Sequence, residues 1–192
     1  MIISWNSDEE TKMYEIATQR LMLRNLINSD AEALYAIRSN PKTFQYVEGN
    51  PYVDIDRAAR FIKNVKKDIE TCEVHFWGIQ PLNGDKIIGT ICLWNFEHMP
   101  IENQPKYLRA EIGYEVHPDH WGLGYANEAV EGMIAFAKTQ MPIHTLIAIT
   151  HKDNLASLAL LNKQGFSLKG VAKEVDPEID EGPEMLLYEL KL

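Results

Sequence analysis

Two glycines, Gly122 and Gly124, stand directly before a strongly amphipathic helical pattern, and this junction is the clearest place for chemistry in the chain. The first N–H groups of a helix have no partners within the helix, and the helix dipole places positive potential there, so such a junction can bind an anion. Glycine at both positions would let a phosphate approach the backbone without a Cβ in the way. The pair predicts a phosphate cradle, although a tight turn would use the same two glycines.

Other catalytic and ligand-binding patterns do not fit this region. The glycine spacing is too short for a Walker phosphate loop, and Asn127 occupies the place of the third glycine in a dinucleotide-binding G-x-G-x-x-G pattern. His117 and His120 are three residues apart, but Pro118 between them disfavours a helical metal-binding pair. No G-x-S-x-G elbow occurs, so a hydrolase triad has no anchor. We therefore expect neither a metal nor a hydrolase.

The composition limits the partners of such a site. The chain has 192 residues, enough for one domain with a substantial core, and its net charge of −9 argues against a nucleic-acid partner. No apolar run is long enough to span a membrane, and the first residues lack the pattern of a secretory signal. The two cysteines, Cys72 and Cys92, have neither metal-binding nor disulfide spacing. These features predict a cytoplasmic protein with no membrane partner.

Periodicity predicts the elements that would position the glycines. Seven segments have the pattern of strands. Helical patterns lie between several of them, including one between the fourth and fifth strands, so the order predicts a mixed α/β sheet. We expect a tail at residues 1–17 and one domain over residues 18–192. The predicted strands are Arg20–Asn25, Val74–Gln80, Lys86–Phe96, Leu108–Val116, Thr145–Thr150, Phe166–Lys173 and Met185–Leu190.

Four helices are predicted around this sheet. Ser29 and Glu32 have the spacing of a capping box, which predicts the start of the first. The second begins near Asp54, the third near Gly122, and the fourth after a cap at Asp153 or Asn154. The second helix has a predicted buried face of Ala58, Ile62, Val65 and Ile69, and the third has one of Ala126, Ala129, Val130, Met133, Ile134 and Ala137.

Three runs of residues resemble one known family. The run A-E-I-G-Y-E-V-H-P-D-H-W-G-L-G-Y-A-N-E-A at Ala110–Ala129 looks like the acetyl-CoA-binding motif of the GNAT superfamily of N-acetyltransferases, in the form of its RimJ/RimL branch. The run T-Q-R-L-M-L-R at Thr18–Arg24 resembles the first strand of that branch. The run at Asn154–Phe166 resembles its later N-x-x-S-x-x-L-x-x-K-x-G-F pattern. The matches occur in the family's order and span nearly the whole chain after the tail.

The resemblance implies a fold and a set of cofactor contacts. The fold would be a GNAT-type twisted mixed sheet of about seven strands and about four helices, splayed between strands 4 and 5, with acetyl-CoA in the gap. Asp119 stands where the wider superfamily has Gln or Arg, so the phosphate contact is expected from the backbone rather than from this side chain. By position, the resemblance implies that the backbone of Val116 and His117 bonds the pantetheine arm and that Asn154 and Ser157 line the thioester end. Lys163 would also contact the cofactor. The pyrophosphate would be held by the N–H groups of Trp121, Gly122, Leu123, Gly124, Tyr125 and Ala126.

The reaction that the resemblance implies requires a base and a proton donor. An aliphatic amine is mostly protonated at pH 7 and must be neutral to attack a thioester, so a positioned base would help. Glu111 is the first candidate because several GNAT enzymes carry a catalytic glutamate on this strand. Period-2 alternation places Glu115 on the same face unless a bulge intervenes, which makes it a rival. Ser157 could donate to the departing thiolate, or its hydroxyl could cap the helix.

We therefore expect an N-acetyltransferase that uses acetyl-CoA and acts on a primary amine, either a protein N-terminal α-amine or a small amine. The alternative is a non-catalytic acyl-CoA-binding or interaction module on the same fold. Residues 173–184 carry six acids and one lysine, typical of a solvated loop but also suited to a cationic acceptor. We keep a homodimer as a candidate oligomeric state.

Overall fold

The computed structural model describes residues 15–46, 49–71, 74–99, 107–179 and 182–192. The described strands are β1 (Ile16–Ala17), β2 (Leu21–Arg24), β3 (His75–Pro81), β4 (Gly89–Met99), β5 (Tyr107–Val116), β6 (Ile143–His151), β7 (Ser167–Val171) and β8 (Met185–Lys191). They form one sheet with the order β1-β2-β3-β4-β5-β6-β8-β7. Neighbouring strands run antiparallel except β5 and β6, which are parallel.

Helices pack on both faces of this sheet. The described helices are α1 (Ala31–Ser39), α2 (Ile55–Glu70), α3 (Tyr125–Gln140), α4 (Leu155–Lys163) and α5 (Ala172–Val175). On β3, Phe76 belongs to an apolar cluster with residues of α1 and α2, whereas its neighbour Trp77 belongs to a cluster with residues of α3 and α4. Because successive side chains of a strand point to opposite faces, the two helix pairs cover opposite faces of the sheet.

The sheet opens between β5 and β6. These strands pair from Leu108 opposite Ile143 as far as Glu111 opposite Ile147, but β5 continues to Val116 and β6 to His151. Beyond Glu111 the two strands therefore diverge and leave a gap. This is the predicted splay between the fourth and fifth predicted strands, and the predicted α/β fold class is confirmed.

Two departures from the predicted elements lie near the chain ends. An additional short strand, Ile16–Ala17, pairs with β2, so the sheet begins just before the predicted domain start at Thr18. The sixth predicted strand was too long: β7 ends at Val171, and Ala172 begins the short helix α5. Ala172 is fully buried beside β6 and β8. The alternation of apolar and polar residues carries no sign of this packing, so it could not predict where the strand ends and the helix begins.

The predicted start of α2 is confirmed, whereas the predicted start of α1 is wrong. All four predicted apolar residues of α2 are buried, and the Asp54 carboxylate accepts a hydrogen bond from the N–H of Arg57 at 2.8 Å as an N-cap. The predicted Ser29 and Glu32 capping box was wrong, because a short 3₁₀ turn over Asn28–Asp30 delays the start of α1. Asp30 instead accepts from the N–H of Ile27 and from the Arg24 guanidinium at 2.8 Å and 2.9 Å. In the part of the chain that the structure describes, no helix has the length and apolarity needed to cross a bilayer.

Candidate active site

The glycine loop between β5 and α3 forms an open concavity. Gly122 and Gly124 have φ angles of +73° and +80°, the left-handed region that glycine adopts without a steric penalty. Gly124 is the N-cap of α3, and apart from Gly122 and its two chain neighbours no described residue has an atom within 4 Å of the place where a Cβ on Gly122 would stand. The indole Nε1 of Trp121 donates to the carbonyl oxygen of Val116 at 2.6 Å, which ties the loop to the end of β5. The loop thus presents the N-terminus of a long helix to solvent.

Some backbone groups predicted to contact a cofactor already have partners. The N–H of Trp121 donates to Pro118 at 3.1 Å, so the exposed part of the cradle begins at Gly122. The N–H of His117 donates to Ile88 at 2.8 Å. The carbonyls of Val116 and His117 each accept one bond and have a second lone pair available. The predicted pantetheine contact of these two residues stays a prediction and would use their carbonyl oxygens.

Arg20 borders the cradle although sequence reasoning missed it. Its backbone N–H and its Nε both donate to the Glu128 carboxylate at 2.6 Å, and its Nη1 donates to the carbonyl of Leu123 at 3.1 Å. The guanidinium also lies over the Tyr125 ring at 4.7 Å from the centroid. A cavity of about 500 Å³ beside the cradle is lined by both Arg20 and the predicted Lys163. The T-Q-R start of the first motif was the available signal, because Arg20 is its third residue.

We expect Glu128→Gln to lower the free energy of unfolding near pH 7. Burial would raise the pKa of Glu128, but hydrogen bonds from Thr18 and Arg20 outweigh it and hold this pKa below its ordinary value. A carboxylate with a depressed folded pKa stabilises the fold above its unfolded pKa of about 4.3, and this contribution is lost as the pH falls through the folded pKa. Urea unfolding from pH 3 to pH 8 should show a difference between wild type and variant that is largest at neutral pH.

Glu131→Gln is the matched control, because Glu131 is an exposed glutamate of the same helix. Its substitution should leave stability unchanged across this pH range. A deficit for Glu128→Gln that is the same at every pH would contradict the assigned charge interaction.

Glu111 lies on β5 at the last residue pair before β5 and β6 separate. Its side chain is buried, and the Asn95 amide donates to Oε2 at 2.9 Å. Asn95 has a φ of +50° in a β-bulge where the β4–β5 register shifts between Trp94 and Glu97. The bulge brings a polar amide from β4 against Glu111. The surrounding cavity, of about 370 Å³, is lined by Trp94, Asn95, Glu97, Glu111, Ile149, Asp176, Glu178 and Ile179.

Glu115 shares this face but has a different environment. The register is regular from Gly89 opposite Val116 to Trp94 opposite Glu111, so no bulge in this pairing separates the two glutamates. Glu115 Oε1 accepts from the Arg38 guanidinium at 2.6 Å and from the Thr90 hydroxyl at 2.8 Å. Burial alone would lower the pKa of Arg38, but Glu115 and Tyr52 raise it above its ordinary value. Glu115 is thus the partner of a largely buried cation from α1.

The start of α4 places Ser157 at the gap. The Asn154 side chain is the helix cap and accepts from the N–H of Ser157 at 3.2 Å. The Ser157 hydroxyl lies 2.9 Å from the Tyr114 hydroxyl on β5, so it bonds across to the strand. Burial raises the pKa of Tyr114 to about 12, and the bond to Ser157 acts in the opposite direction. Tyr114 was not among the residues singled out from sequence.

The acidic segment contributes to the Glu111 cavity. Asp176 and Glu178 line it, and Arg109 bonds to Asp176 at 2.7 Å and to Glu97 at 2.5 Å. Of the other acids, Glu174 is exposed, Glu184 pairs with Lys152, and Asp180 and Glu181 lie outside the described residues. Within the described ranges, no three His, Cys, Asp or Glu side chains converge in a way that could hold a metal ion.

Sequence comparison relates the chain to known proteins. The family described as Acetyltransferase (GNAT) domain matches residues 20–167 of the chain. The uncharacterized N-acetyltransferase YoaA of Bacillus subtilis is 31% identical over 159 residues, which cover 83% of this chain and 86% of YoaA.

Solved structures share the fold. RimJ of Mycobacterium smegmatis in complex with CoA-disulfide has a TM-score of 0.75 at 20% identity, over 94% of this chain and 88% of RimJ. The microcin C7 self-immunity acetyltransferase MccE in complex with acetyl-CoA and AMP has a TM-score of 0.73 at 22% identity, over 91% of this chain and 93% of MccE. The resemblance inferred from the three motifs is confirmed. The chain belongs to the GNAT family of acetyltransferases.

Proposed function

We propose that this acetyltransferase moves the acetyl group of acetyl-CoA to a primary amine by direct attack in a ternary complex. One observation carries the proposal: the glycine cradle and Glu111 flank the part of β5 that has separated from β6. A donor held at the cradle could extend along the open edge of β5 toward Glu111. The complexes of RimJ with CoA-disulfide and of MccE with acetyl-CoA support this choice of donor.

The cradle fits a donor that carries phosphates. The space above Gly122 is open, so a phosphate could reach the backbone N–H groups that precede α3. Arg20 and Lys163 line the adjoining cavity together with Glu131 and with Glu128, which pairs with Arg20, so the attraction for phosphate comes chiefly from the backbone N–H groups and the helix dipole. The cofactor contacts proposed for Gly122, Gly124 and Lys163 are consistent with this arrangement.

Glu111 is the proposed base. It is a buried carboxylate at the end of the β5–β6 pairing, and it borders a cavity large enough for an amine side chain. Its role would be to accept the proton that the amine must lose as the N–C bond forms. Glu115 is less suited, because Arg38 and Thr90 already use its Oε1.

Ser157 is the proposed donor to the leaving sulfur. Its backbone N–H is taken by Asn154, but its hydroxyl lies at the open side of β5. A hydrogen bond from this hydroxyl would stabilise the negative charge that develops on sulfur as the C–S bond breaks.

The function is tested by two measurements on the wild-type chain. Isothermal titration with acetyl-CoA measures donor binding, and a thiol-release assay over a panel of amines and N-terminal peptides measures transfer. We expect binding together with CoA release that depends on the amine. Binding without release for every acceptor would leave only an acyl-CoA-binding module and overturn the proposal.

We further propose that the acceptor carries positive charge beyond its reacting amine. Four carboxylates line the Glu111 cavity, those of Glu97, Glu111, Asp176 and Glu178. Arg109 offsets part of this charge through its bonds to Glu97 and Asp176, and an excess of negative charge remains. Such a cavity favours a cation over a neutral amine of the same shape. A basic N-terminal peptide or a polyamine would satisfy it.

Replacement of Asp176 by Asn together with Glu178 by Gln should raise the KM of a diamine acceptor about fivefold to tenfold at low salt. The effect should shrink at high salt, because counterions screen partly exposed charges. Steady-state kinetics with a diamine and with a monoamine of equal length measure this. The monoamine KM should rise less.

Glu174→Gln is the matched control on the same segment, since Glu174 is exposed and does not line the cavity. Its acceptor KM should equal that of wild type. A diamine KM unchanged in the double variant would refute the charge preference while leaving acetyl transfer itself intact.

A further inference from the structure

Two hydroxyl groups meet at the open edge of β5. Tyr114 lies three residues beyond Glu111, where β5 no longer pairs with β6, and its oxygen is 2.9 Å from the Ser157 oxygen in the first turn of α4. The contact joins residues 43 positions apart in the sequence and is partly buried. It lies on the face of β5 opposite Glu111, because 111 and 114 differ by an odd number of residues.

The direction of this hydrogen bond decides what Ser157 can do. A serine hydroxyl has one proton and two lone pairs. If Ser157 donated to Tyr114, its only proton would be used and could not reach a sulfur atom. If Tyr114 donates to Ser157, the serine proton stays available for another acceptor.

We infer that Tyr114 is a positioning residue whose hydroxyl donates to Ser157 Oγ and thereby directs the Ser157 proton toward the sulfur that leaves the acetyl group. This inference rests on the proposed function, because it assumes that Ser157 faces the thioester. During the step, the amine nitrogen forms a bond to the acetyl carbon, and the electron pair of the C–S bond goes to sulfur. The amine proton goes to Glu111, which then releases it to solvent, and the thiolate takes a proton from solvent, so the reaction ends with free thiol and an ionised Glu111.

Burial keeps the Tyr114 phenol protonated, so it has a proton to donate to Ser157. It raises the pKa of Tyr114 to about 12, so the phenol holds its proton over any pH at which the enzyme would be assayed. A free thiol has a pKa of about 8.5, more than three units lower, so proton transfer from Tyr114 through Ser157 to the thiolate would be uphill. Tyr114 therefore orients a donor and does not itself give up a proton.

The Asn154 cap completes the arrangement. Its side-chain oxygen accepts from the N–H of Ser157 at 3.2 Å, which anchors the backbone of the first turn. With the backbone anchored by Asn154 and the oxygen held by Tyr114, the Ser157 proton has few remaining directions. This preorganisation is what a hydrogen bond needs in order to strengthen as charge develops.

The test is a double-mutant cycle on the single-turnover rate of acetyl transfer, with enzyme in excess over acetyl-CoA. Ser157→Ala should slow transfer about 10- to 100-fold, as expected for a lost hydrogen bond to a charged group. Tyr114→Phe should slow it about threefold to tenfold, as expected for a lost neutral hydrogen bond. In the double variant, Tyr114→Phe should add nothing to Ser157→Ala, because no hydroxyl is left to orient.

Binding and folding are measured on the same variants. The dissociation constant of acetyl-CoA should stay within about twofold of wild type, since the contact acts on developing charge. Tyr188→Phe is the control, because Tyr188 is a buried tyrosine of the core cluster against which Tyr114 packs. It should leave the transfer rate unchanged, and its melting temperature shows what loss of a buried phenol hydroxyl does to the fold alone.

Each outcome decides between distinct claims. A wild-type rate for Tyr114→Phe, or losses that multiply in the double variant, would overturn the positioning role alone. A wild-type rate for Ser157→Ala would overturn both this role and the donor role of Ser157, with acetyl transfer still standing. A wild-type chain that binds acetyl-CoA and transfers to no amine would overturn the proposed function and this inference with it.

Discussion

Replacement of Glu111 by glutamine should lower kcat/KM for acetyl transfer at pH 7 by about 100- to 10,000-fold, the range of positioned general-base catalysis. Glutamine keeps the shape of the side chain, and its amide oxygen can still accept from Asn95, so the change removes chiefly the basic carboxylate. Steady-state kinetics with saturating acetyl-CoA and a limiting amine measure the loss. The acetyl-CoA dissociation constant should stay the same, because the cradle lies beyond the far end of the splayed segment of β5.

The pH dependence separates loss of a base from loss of structure. A lysine-type amine has a pKa of about 10.4, so its neutral fraction rises about tenfold per pH unit below that value. Glu111→Gln should therefore recover rate steadily as the pH rises from 7 to 10, and wild type should gain less. A deficit that is constant with pH would point to misplacement of the substrate instead.

Glu115→Gln is the matched comparison on the same strand. It should cost about 2 kcal/mol of stability, because the largely buried Arg38 loses its charged partner. It should leave the rate of acetyl transfer near that of wild type. If Glu115→Gln lost most of its transfer rate and Glu111→Gln stayed active, the role of the base would be assigned to Glu115.

Gly124→Val should weaken acetyl-CoA binding about 100-fold or more. The φ of +80° is strained for a β-branched residue, and a Cβ at this position would stand 3.4 Å from Nη2 of Arg20. The left-handed conformation costs about 1–2 kcal/mol, and lost hydrogen bonds to a charged phosphate cost about 1.5–3 kcal/mol. Isothermal titration measures the loss in affinity.

Two comparisons isolate the phosphate contact. S-acetylpantetheine lacks the phosphates, so its kcat/KM should be similar in wild type and Gly124→Val. Gly122→Ala meets no neighbouring atom and should cost affinity only through its backbone conformation and contact with the donor, about tenfold. If Gly124→Val bound acetyl-CoA as tightly as wild type does, the cradle would not be a phosphate site. The same would follow if the variant lost activity equally with acetyl-CoA and with S-acetylpantetheine.

The features that sequence predicted well are those encoded within a few residues. The buried face of α2 and the Asp54 cap follow from spacings of three and four residues, and both are present. The glycine pair before α3 adopts the left-handed conformations that suit a cradle, because the turn needs a backbone that only glycine adopts easily. Element ends were predicted less well, as the 3₁₀ turn before α1 and the helix after β7 show.

The sequence by itself predicted the mixed α/β fold class, because periodicity and helix starts are local properties of the chain, and the resemblance of three short motifs indicated the family. The sequence could not separate Glu111 from Glu115, which share one face of β5 and one residue type. The tertiary structure distinguishes their surroundings: Arg38 of α1 holds Glu115, and the bulge in β4 brings Asn95 to Glu111. The bonds of Arg20 to Glu128 and of Tyr114 to Ser157 span 108 and 43 residues and leave no periodic signal. What a side chain can do with a proton or a charge depends on its partners, and only packing brings those partners together.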